Sequence, residues 1–230
     1  VYRFHADYAA LDGFDPDEDS GFVPVSERSP LDRWILSKVT EMADDYHSNF
    51  ASWDFHKAGR GLEDFVVNDL SNWYVRRSRR RLWDEADSND KRACQHTLHE
   101  ILLVVCRLMA PVSPFTPDHI HRSLTGSSVH LADWPVGSEI VDRSLPDRDF
   151  GLEQEMALVR SLAEAGRRIR VDSNRRQRLP CRTGWIVGGP DISRFSDILA
   201  EELNVEVLST EKDLDSFQRI VLEPNRKVLG

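Results

Sequence analysis

The sequence predicts a mainly α protein, in which a helical bundle of about five helices is followed by a small α/β subdomain. Apolar residues recur at helical spacing in separate stretches between residues 30 and 171, and this spacing places them on one face of each helix. Helix start and stop signals bound the stretches, with Ser29-Pro30 before the first and Gly126 after the fourth. Beyond about residue 183, short apolar runs alternate with turn residues, a pattern typical of strands.

Residues 1–29 precede the bundle and lack clear periodicity. Their Asp12-Gly13-Phe14-Asp15-Pro16 run is typical of turns, so we predict an extended segment that lies across the surface of the bundle. The chain opens on Val1, and no basic stretch followed by an apolar core marks a signal peptide. We therefore expect a segment of a longer protein.

The first two helices of the bundle have the clearest signals. Ser29 as a cap and Pro30 in the first turn open a helix that ends near Phe50. Asp54 is the predicted cap of a second helix, which runs to about Glu85. The apolar stripe of this second helix consists of Phe55, Ala58, Leu62, Phe65, Val66, Leu70 and Trp73.

Three further helices complete the predicted bundle. The third, at about 90–110, is the most apolar and is expected inside the bundle. A short fourth helix at 117–124 precedes an extended run at 128–135, and a fifth helix covers about 152–171.

The tail of the chain is predicted to be a small α/β unit. A strand and turn at 184–189 is followed by a helix at 192–203 and by strands at 205–208 and 219–222. The predicted divisions of the chain are therefore an extended segment at 1–29, a helical bundle at 30–182 and an α/β subdomain at 183–230.

The composition excludes several functional classes. Thirty basic residues face 39 acidic ones, and the resulting net charge of -9 argues against non-specific binding to nucleic acid. No apolar run approaches the roughly 20 residues that cross a bilayer. Three cysteines without close pairing argue against a disulfide framework, and they predict a reducing, cytoplasmic location.

The sequence offers no credible active site or metal centre. It contains no Gly-x-Ser-x-Gly elbow and no phosphate-binding Gly-rich loop. Gly59-Arg60-Gly61 falls within a helical pattern and predicts a close approach of two helices. Cys94, His96 and His99 come nearest to a metal cluster, but on a helix they diverge, and a fourth ligand is missing. We predict no catalytic residue, no metal and no cofactor in this chain.

The strongest signal is a group of arginines at the end of the second helix. At about 100° per residue they continue the face that is apolar up to Trp73. Because a guanidinium binds phosphates and carboxylates equally well, they either form an anion-binding surface or are paired internally. The arginines are Arg76, Arg77, Arg79, Arg80 and Arg81, and the carboxylates available for pairing are Asp32, Asp69, Asp84 and Glu85.

Further candidates for RNA contacts lie around this group and after the fifth helix. Trp83 and Asn72 are candidates for contacts with unpaired bases, because aromatic and amide side chains stack on bases and bind their edges. Trp73, at helical spacing, is interpreted as a core residue. The second arginine group consists of Arg167, Arg168, Arg175, Arg176 and Arg178.

Six motifs, in order along the chain, resemble those of isoleucyl-tRNA synthetases. The run Leu-Ser-Asn-Trp-Tyr-Val-Arg-Arg-Ser-Arg-Arg-Arg at residues 70–81 is similar to a helix motif in the anticodon-binding domain of that family. Valyl and leucyl relatives share the bundle and stay an alternative within the same class. The other matching motifs lie at 8–14, 31–37, 108–117, 128–135 and 223–230.

The resemblance implies the anticodon-binding bundle of a class I aminoacyl-tRNA synthetase, which binds the anticodon stem and loop of the tRNA for isoleucine. The parent enzyme would join isoleucine to this tRNA with ATP and magnesium, and zinc is left as an open option. The chain has neither the His-x-Gly-His nor the Lys-Met-Ser-Lys-Ser signature, so the catalytic and editing sites would lie in other domains.

The implied partners are the tRNA for isoleucine and the protein's own catalytic and C-terminal domains, with no membrane. The alternative from another class is a purely structural or interaction domain whose arginines are all paired internally.

Overall fold

Helices make up most of the structure, and one two-stranded parallel sheet completes it. The predicted fold class is therefore confirmed. The computed structural model describes residues 1–16, 22–84, 88–135, 146–187 and 192–211. Contacts between Cα atoms divide the chain into two compact units, residues 1–150 and residues 151–230. No helix in the described ranges is long and apolar enough to span a bilayer.

Unit 1, residues 1–150, is helical, and its local signals act as predicted. The Ser29 hydroxyl accepts a hydrogen bond from the Asp32 N–H at the first turn of α2, and the Asp54 carboxylate accepts one from the Lys57 N–H at α3. The helices are α1 (Tyr2–Asp12), α2 (Pro30–Ala51), α3 (Phe55–Asp64), α4 (Arg76–Trp83), α5 (Asn89–Met109) and α6 (Phe115–Thr125). A π-helical segment, Phe65–Val75, joins α3 to α4.

Two predictions of extended structure, for residues 1–29 and 128–135, are wrong. Helix α1 occupies residues 2–12, and a 3-10 turn occupies Val129–Leu131. In α1 only His5 is buried, so no apolar stripe marks this helix in the sequence. A single turn of 3-10 helix is likewise too short to produce a periodic pattern.

The π-helical segment alters the helical wheel on which the arginine prediction rests. A π-helix bonds residue i to i+5 and is usually a single turn, so positions calculated at about 100° per residue drift over Phe65–Val75. Leu70 and Trp73 are nevertheless buried, as the apolar stripe predicts.

Helix α5 lies at the centre of unit 1, as its apolar character predicts. Every residue from 93 to 106 is buried. A buried ion pair fastens the segment before α2 to this helix, because Arg28 Nη1 and Nη2 lie 2.7 and 2.9 Å from the two carboxylate oxygens of Glu100. The Arg28 Nε also donates to the Val23 carbonyl at 2.9 Å, so the guanidinium is well satisfied.

Unit 2 contains β1 (Cys181–Val187), α8 (Ser196–Leu203), β2 (Val205–Glu211) and all of α7 (Phe150–Asp172) except its first residue. The two strands are parallel, with Cys181 opposite Val205, and α8 provides the crossover between them. Helix α7 packs closely against α8 at Gly166, where an added Cβ would lie 2.1 Å from Leu203 Cδ2.

The contacts group α7 with the residues that follow it, whereas the sequence places this helix in the 30–182 bundle. The predicted domain boundaries stay a prediction. The predicted strand at 219–222, the end of the predicted strand and turn at 184–189, and Glu85 lie outside the described residues.

His5 makes the packing of α1 dependent on pH. Its side chain is 2% exposed, and its ring centroid lies 6.0 Å from that of His99 on α5. Burial, together with the repulsion of His99 and His96, lowers the pKa of His5 from 6.5 to about 3. His5 is therefore neutral at physiological pH.

We expect His5→Leu to reduce the loss of stability between pH 6.5 and pH 3. In this range the unfolded chain binds a proton that the folded chain does not, so the free energy of unfolding falls as the pH falls, by up to about 1.4 kcal/mol per pH unit. Urea unfolding of both proteins at a series of pH values measures the difference. Parallel pH profiles for the two proteins would contradict the prediction.

Candidate nucleic-acid interface

The arginines of α4 differ in burial and in their partners. Arg81 is directed into unit 1, where its Nη1 and Nη2 donate to Asp32 Oδ1 and Oδ2 at 2.8 and 2.7 Å. Its Nε donates to Asp90 Oδ2 at 2.7 Å. Such a two-pronged pair is among the strongest hydrogen-bonded arrangements that side chains form. We therefore expect Arg81 to have a structural role rather than the RNA contact that the sequence predicts for it.

Asp32, the partner of Arg81, is fully buried and has a second donor. The Tyr74 hydroxyl donates to Asp32 Oδ1 at 2.6 Å and lies 3.5 Å from Cys94 Sγ. Burial, reinforced by the Asp32 charge, raises the pKa of Tyr74 well above its usual value. Burial would lower the pKa of Arg81, but its hydrogen bonds to Asp32 raise it overall. At physiological pH Tyr74 is therefore neutral and Arg81 is charged.

The remaining α4 arginines are more accessible. Arg76, Arg79 and Arg80 are exposed, and they define what we call the α4 basic face. Arg77 is half-buried, and its guanidinium carbon lies 4.2 Å from the centroid of the Trp73 ring, which is cation–π geometry. Trp73 itself is 6% exposed, which confirms its interpretation as a core residue.

The two candidates for base contacts lie close to the α4 basic face in the sequence. Trp83, the last residue of α4, is 57% exposed, and Asn72 is exposed in the π-helical segment. Both side chains are therefore accessible to a ligand.

The second arginine group lies in unit 2, and its members also differ in burial and in their partners. Arg167 Nη1 contacts Glu202 Oε2 at 2.7 Å, and Arg168 lies 3.8 Å from Glu164. Arg175 is half-buried, while Arg176 and Arg178 are exposed in the loop after α7.

A further arginine, Arg170, holds that loop in place. It is 1% exposed and donates to the backbone carbonyls of Leu179 and Leu203. In the sequence, Arg170 stands among neighbouring arginines of the same type. The available signal is its position seven residues after the buried Ala163, on the same face of α7.

Cys94 and His96, two of the three residues nearest to a metal cluster in the sequence, pack against aromatic side chains. Cys94 is buried against Tyr74, and burial raises the pKa of its thiol to about 11. The His96 ring lies 4.9 Å from the Phe14 ring, centroid to centroid. Within the described ranges, no group of three or more potential ligands is arranged to hold a metal ion.

Comparisons with known proteins identify the family to which this helical chain belongs. The family model described as the anticodon-binding domain of tRNA ligases matches residues 32–183, which is more than half of the chain. The chain belongs to this family.

Among the curated relatives, the isoleucine–tRNA ligase of Deinococcus radiodurans is 40% identical over 100% of the chain and 21% of its own length. The isoleucine–tRNA ligase of Porphyromonas gingivalis is 37% identical over 100% of the chain and 20% of its own length. That of Chlamydia trachomatis serovar D is 34% identical over 99% of the chain and 22% of its own length. The chain thus spans about a fifth of the length of these relatives, and the resemblance to isoleucyl-tRNA synthetases is confirmed.

Arg81→Ala should lower the free energy of unfolding by about 3–5 kcal/mol, because it leaves the buried Asp32 carboxylate without its cationic partner. The matched variant Arg79→Ala, on the exposed side of the same helix, should change it by less than about 0.5 kcal/mol. Urea unfolding at neutral pH compares the two. Equal effects would show that Arg81 does not have the structural role assigned to it.

Proposed function

We propose that this chain binds the anticodon stem and loop of the tRNA for isoleucine, with the α4 basic face as the main contact for phosphates. The observation that carries the proposal is that Arg76, Arg79 and Arg80 are exposed on one short helix of a domain in the anticodon-binding family. Their neighbour Arg81 is paired with carboxylates in the interior of unit 1, whereas these three arginines lie at the surface, where a ligand can reach them.

The exposed guanidiniums would position the RNA without reading its sequence. Arginine offers several N–H donors in a planar fork that matches the oxygens of a phosphate, and phosphate contacts fix register and orientation. Identity would come from unpaired bases, for which Trp83 and Asn72 stay our candidates. Arg77 would act through its stacking on Trp73, which restricts the direction of its guanidinium.

The end of α7 and the loop after it would provide auxiliary contacts to the backbone of the RNA. Arg168, Arg175, Arg176 and Arg178 are the candidates, and Arg167 is the weakest because Glu202 already neutralises it. The chain has a net charge of -9, and the rest of its surface repels a polyanion. Binding of the RNA therefore depends on arginine side chains that are clustered in these two places.

The same proposal extends to the parent enzyme. It would be an isoleucine–tRNA ligase that uses ATP and magnesium, with zinc left open, in a catalytic domain outside this chain. The chain would contact its own catalytic and C-terminal domains, and its predicted divisions at 1–29, 30–182 and 183–230 belong to this proposal. A cytoplasmic location fits the three cysteines, which are free and buried.

The α4 basic face is tested by the salt dependence of binding. We expect the affinity of the chain for isoleucine tRNA to fall steeply with salt, and each of Arg76→Gln, Arg79→Gln and Arg80→Gln to reduce the slope of log K against log salt by about 1. Filter binding or fluorescence anisotropy at several salt concentrations measures these slopes.

Arg122→Gln is the matched control, because Arg122 is an exposed arginine on α6 that is paired with Asp118. It should leave the slope unchanged. The rival function, a structural domain with internally paired arginines, predicts no tRNA binding even at low salt and identical behaviour of all four variants.

A further inference from the structure

Trp53 occupies a backbone conformation that a tryptophan rarely adopts. Its φ is 64°, in the left-handed region that crowds the Cβ of every residue except glycine. The four other positions with positive φ among the described residues are Gly13, Gly126, Asn174 and Asn204, which are the residue types that tolerate this region.

The backbone around Trp53 shows why a small residue is expected there. The Trp53 N–H donates to the Phe50 carbonyl at 3.1 Å, and the Asp54 N–H donates to the Asn49 carbonyl at 2.9 Å. These two bonds form a Schellman motif that ends α2, and its left-handed position usually holds glycine. Trp53 is also 80% exposed, so burial of the indole does not offset the strain of its left-handed backbone. Strain of this kind concentrates at functional sites.

Other aromatic rings surround Trp53 at the corner between α2 and α3. The Trp53 and Phe55 ring centroids are 5.6 Å apart, and Phe50 lies 4.7 Å from Phe55 and 5.7 Å from Tyr46. Phe55 is 44% exposed, whereas Tyr46 is buried. The cluster therefore leads from an exposed indole into the protein.

A groove of about 640 Å³ begins where this cluster ends. Tyr46 lines the groove, and its side chain is 2% exposed. Within the described residues its buried hydroxyl has no hydrogen-bond partner, although buried hydroxyls are normally paired. The groove residues that matter below are Asp45, Tyr46 and Asn49 on α2 and Lys57, Arg60 and Gly61 on α3.

Gly61 of α3 leaves the wall of the groove open. The sequence predicts that Gly59-Arg60-Gly61 marks a close approach of two helices, and this expectation is wrong, because a Cβ at Gly59 or at Gly61 would meet no atom within 4 Å. Glycine weakens a helix, and no packing contact compensates for it here. Space at Gly61 is consistent with a ligand that fills the groove.

We propose that the α2–α3 groove binds one unpaired nucleotide of the RNA, with its base in the groove and the adjacent base stacked on Trp53. The inference rests on the proposed function, because the ligand is the same RNA, but it concerns a surface separate in sequence from the α4 basic face. Aromatic faces accept any base by stacking. The buried Tyr46 hydroxyl can donate to or accept from a base edge.

Charges of both signs line the groove: the cations are Lys38, Lys57 and Arg60, and the carboxylates are Glu41, Asp45, Glu63, Asp64 and Asp69. Lys57 and Arg60 are exposed on α3, where they can contact the phosphate of the bound nucleotide. The Asp45 carboxylate lines the groove and repels a phosphate, but it accepts a hydrogen bond from the exocyclic amino group of adenine, guanine or cytosine.

The test uses the full chain and an RNA hairpin with the sequence of the anticodon arm of isoleucine tRNA, carrying 2-aminopurine at one unpaired position at a time. Gly61→Leu fills the groove, and Gly59→Leu places the same side chain on the same helix outside the groove lining. We expect Gly61→Leu to weaken binding about 5- to 100-fold, the range of one lost base-stacking contact, and Gly59→Leu to leave it unchanged.

Trp53→Gly separates binding from stability. It should raise Tm, because glycine adopts the left-handed conformation without strain, while it abolishes the fluorescence quenching of one loop base. A lower Tm with unchanged quenching would show that Trp53 is structural, and would overturn the inference.

Two outcomes distinguish this inference from the proposed function. If Arg76→Gln, Arg79→Gln and Arg80→Gln weaken binding while Gly61→Leu and Trp53→Gly do not, the groove is not a nucleotide site, and the α4 basic face stands. If the unmodified chain binds no hairpin at low salt, both proposals fall together.

Discussion

The buried carboxylate of Asp32 is the constraint on which the arrangement of α2, α4 and α5 depends. A fully buried charge is costly unless it is paired and hydrogen-bonded, and Asp32 meets this requirement with Arg81 from α4 and Tyr74 from the π-helical segment. Arg81 also reaches Asp90 at the start of α5. The Asp32 carboxylate, with Arg81, therefore holds α4 against α2 and α5. This contact also fixes the direction in which α4 presents its remaining arginines.

This constraint explains how a dense arginine group in an acidic protein is divided between the interior and the surface. Arg81 satisfies the internal carboxylate, and Arg77 is held over Trp73. Arg76, Arg79 and Arg80 are then left on the solvent side of the same helix. A helix that is pinned by one arginine presents the others with little loss of conformational freedom on binding, which favours affinity for a ligand of fixed shape.

At the corner between α2 and α3, by contrast, the exposed residues lower the stability of the fold. There the chain keeps a strained, exposed Trp53 and two glycines whose positions offer no packing reason for their small size. Natural sequences deviate from local preferences mostly at functional or strained positions. An aromatic cluster, an open groove and a Tyr46 hydroxyl with no hydrogen-bond partner in the described part of the chain occur together at this corner. One functional reason explains them more economically than several unrelated defects.

The sequence by itself determined the helical class, the caps at Ser29 and Asp54, and the buried position of Trp73, because these features depend on local hydrogen bonds and on the period of apolar residues. It also identified the family through its ordered motifs. Helix α1 escaped detection because an almost unburied helix has no stripe, and the π-helical segment escaped because a wheel assumes one fixed period. Only the tertiary structure decided which arginines are structural, since Asp32 and Arg81 are 49 residues apart and their pairing follows from how α2 and α4 pack. The left-handed backbone of Trp53 was equally invisible in the sequence, because the residue type there argues against the conformation that the chain adopts.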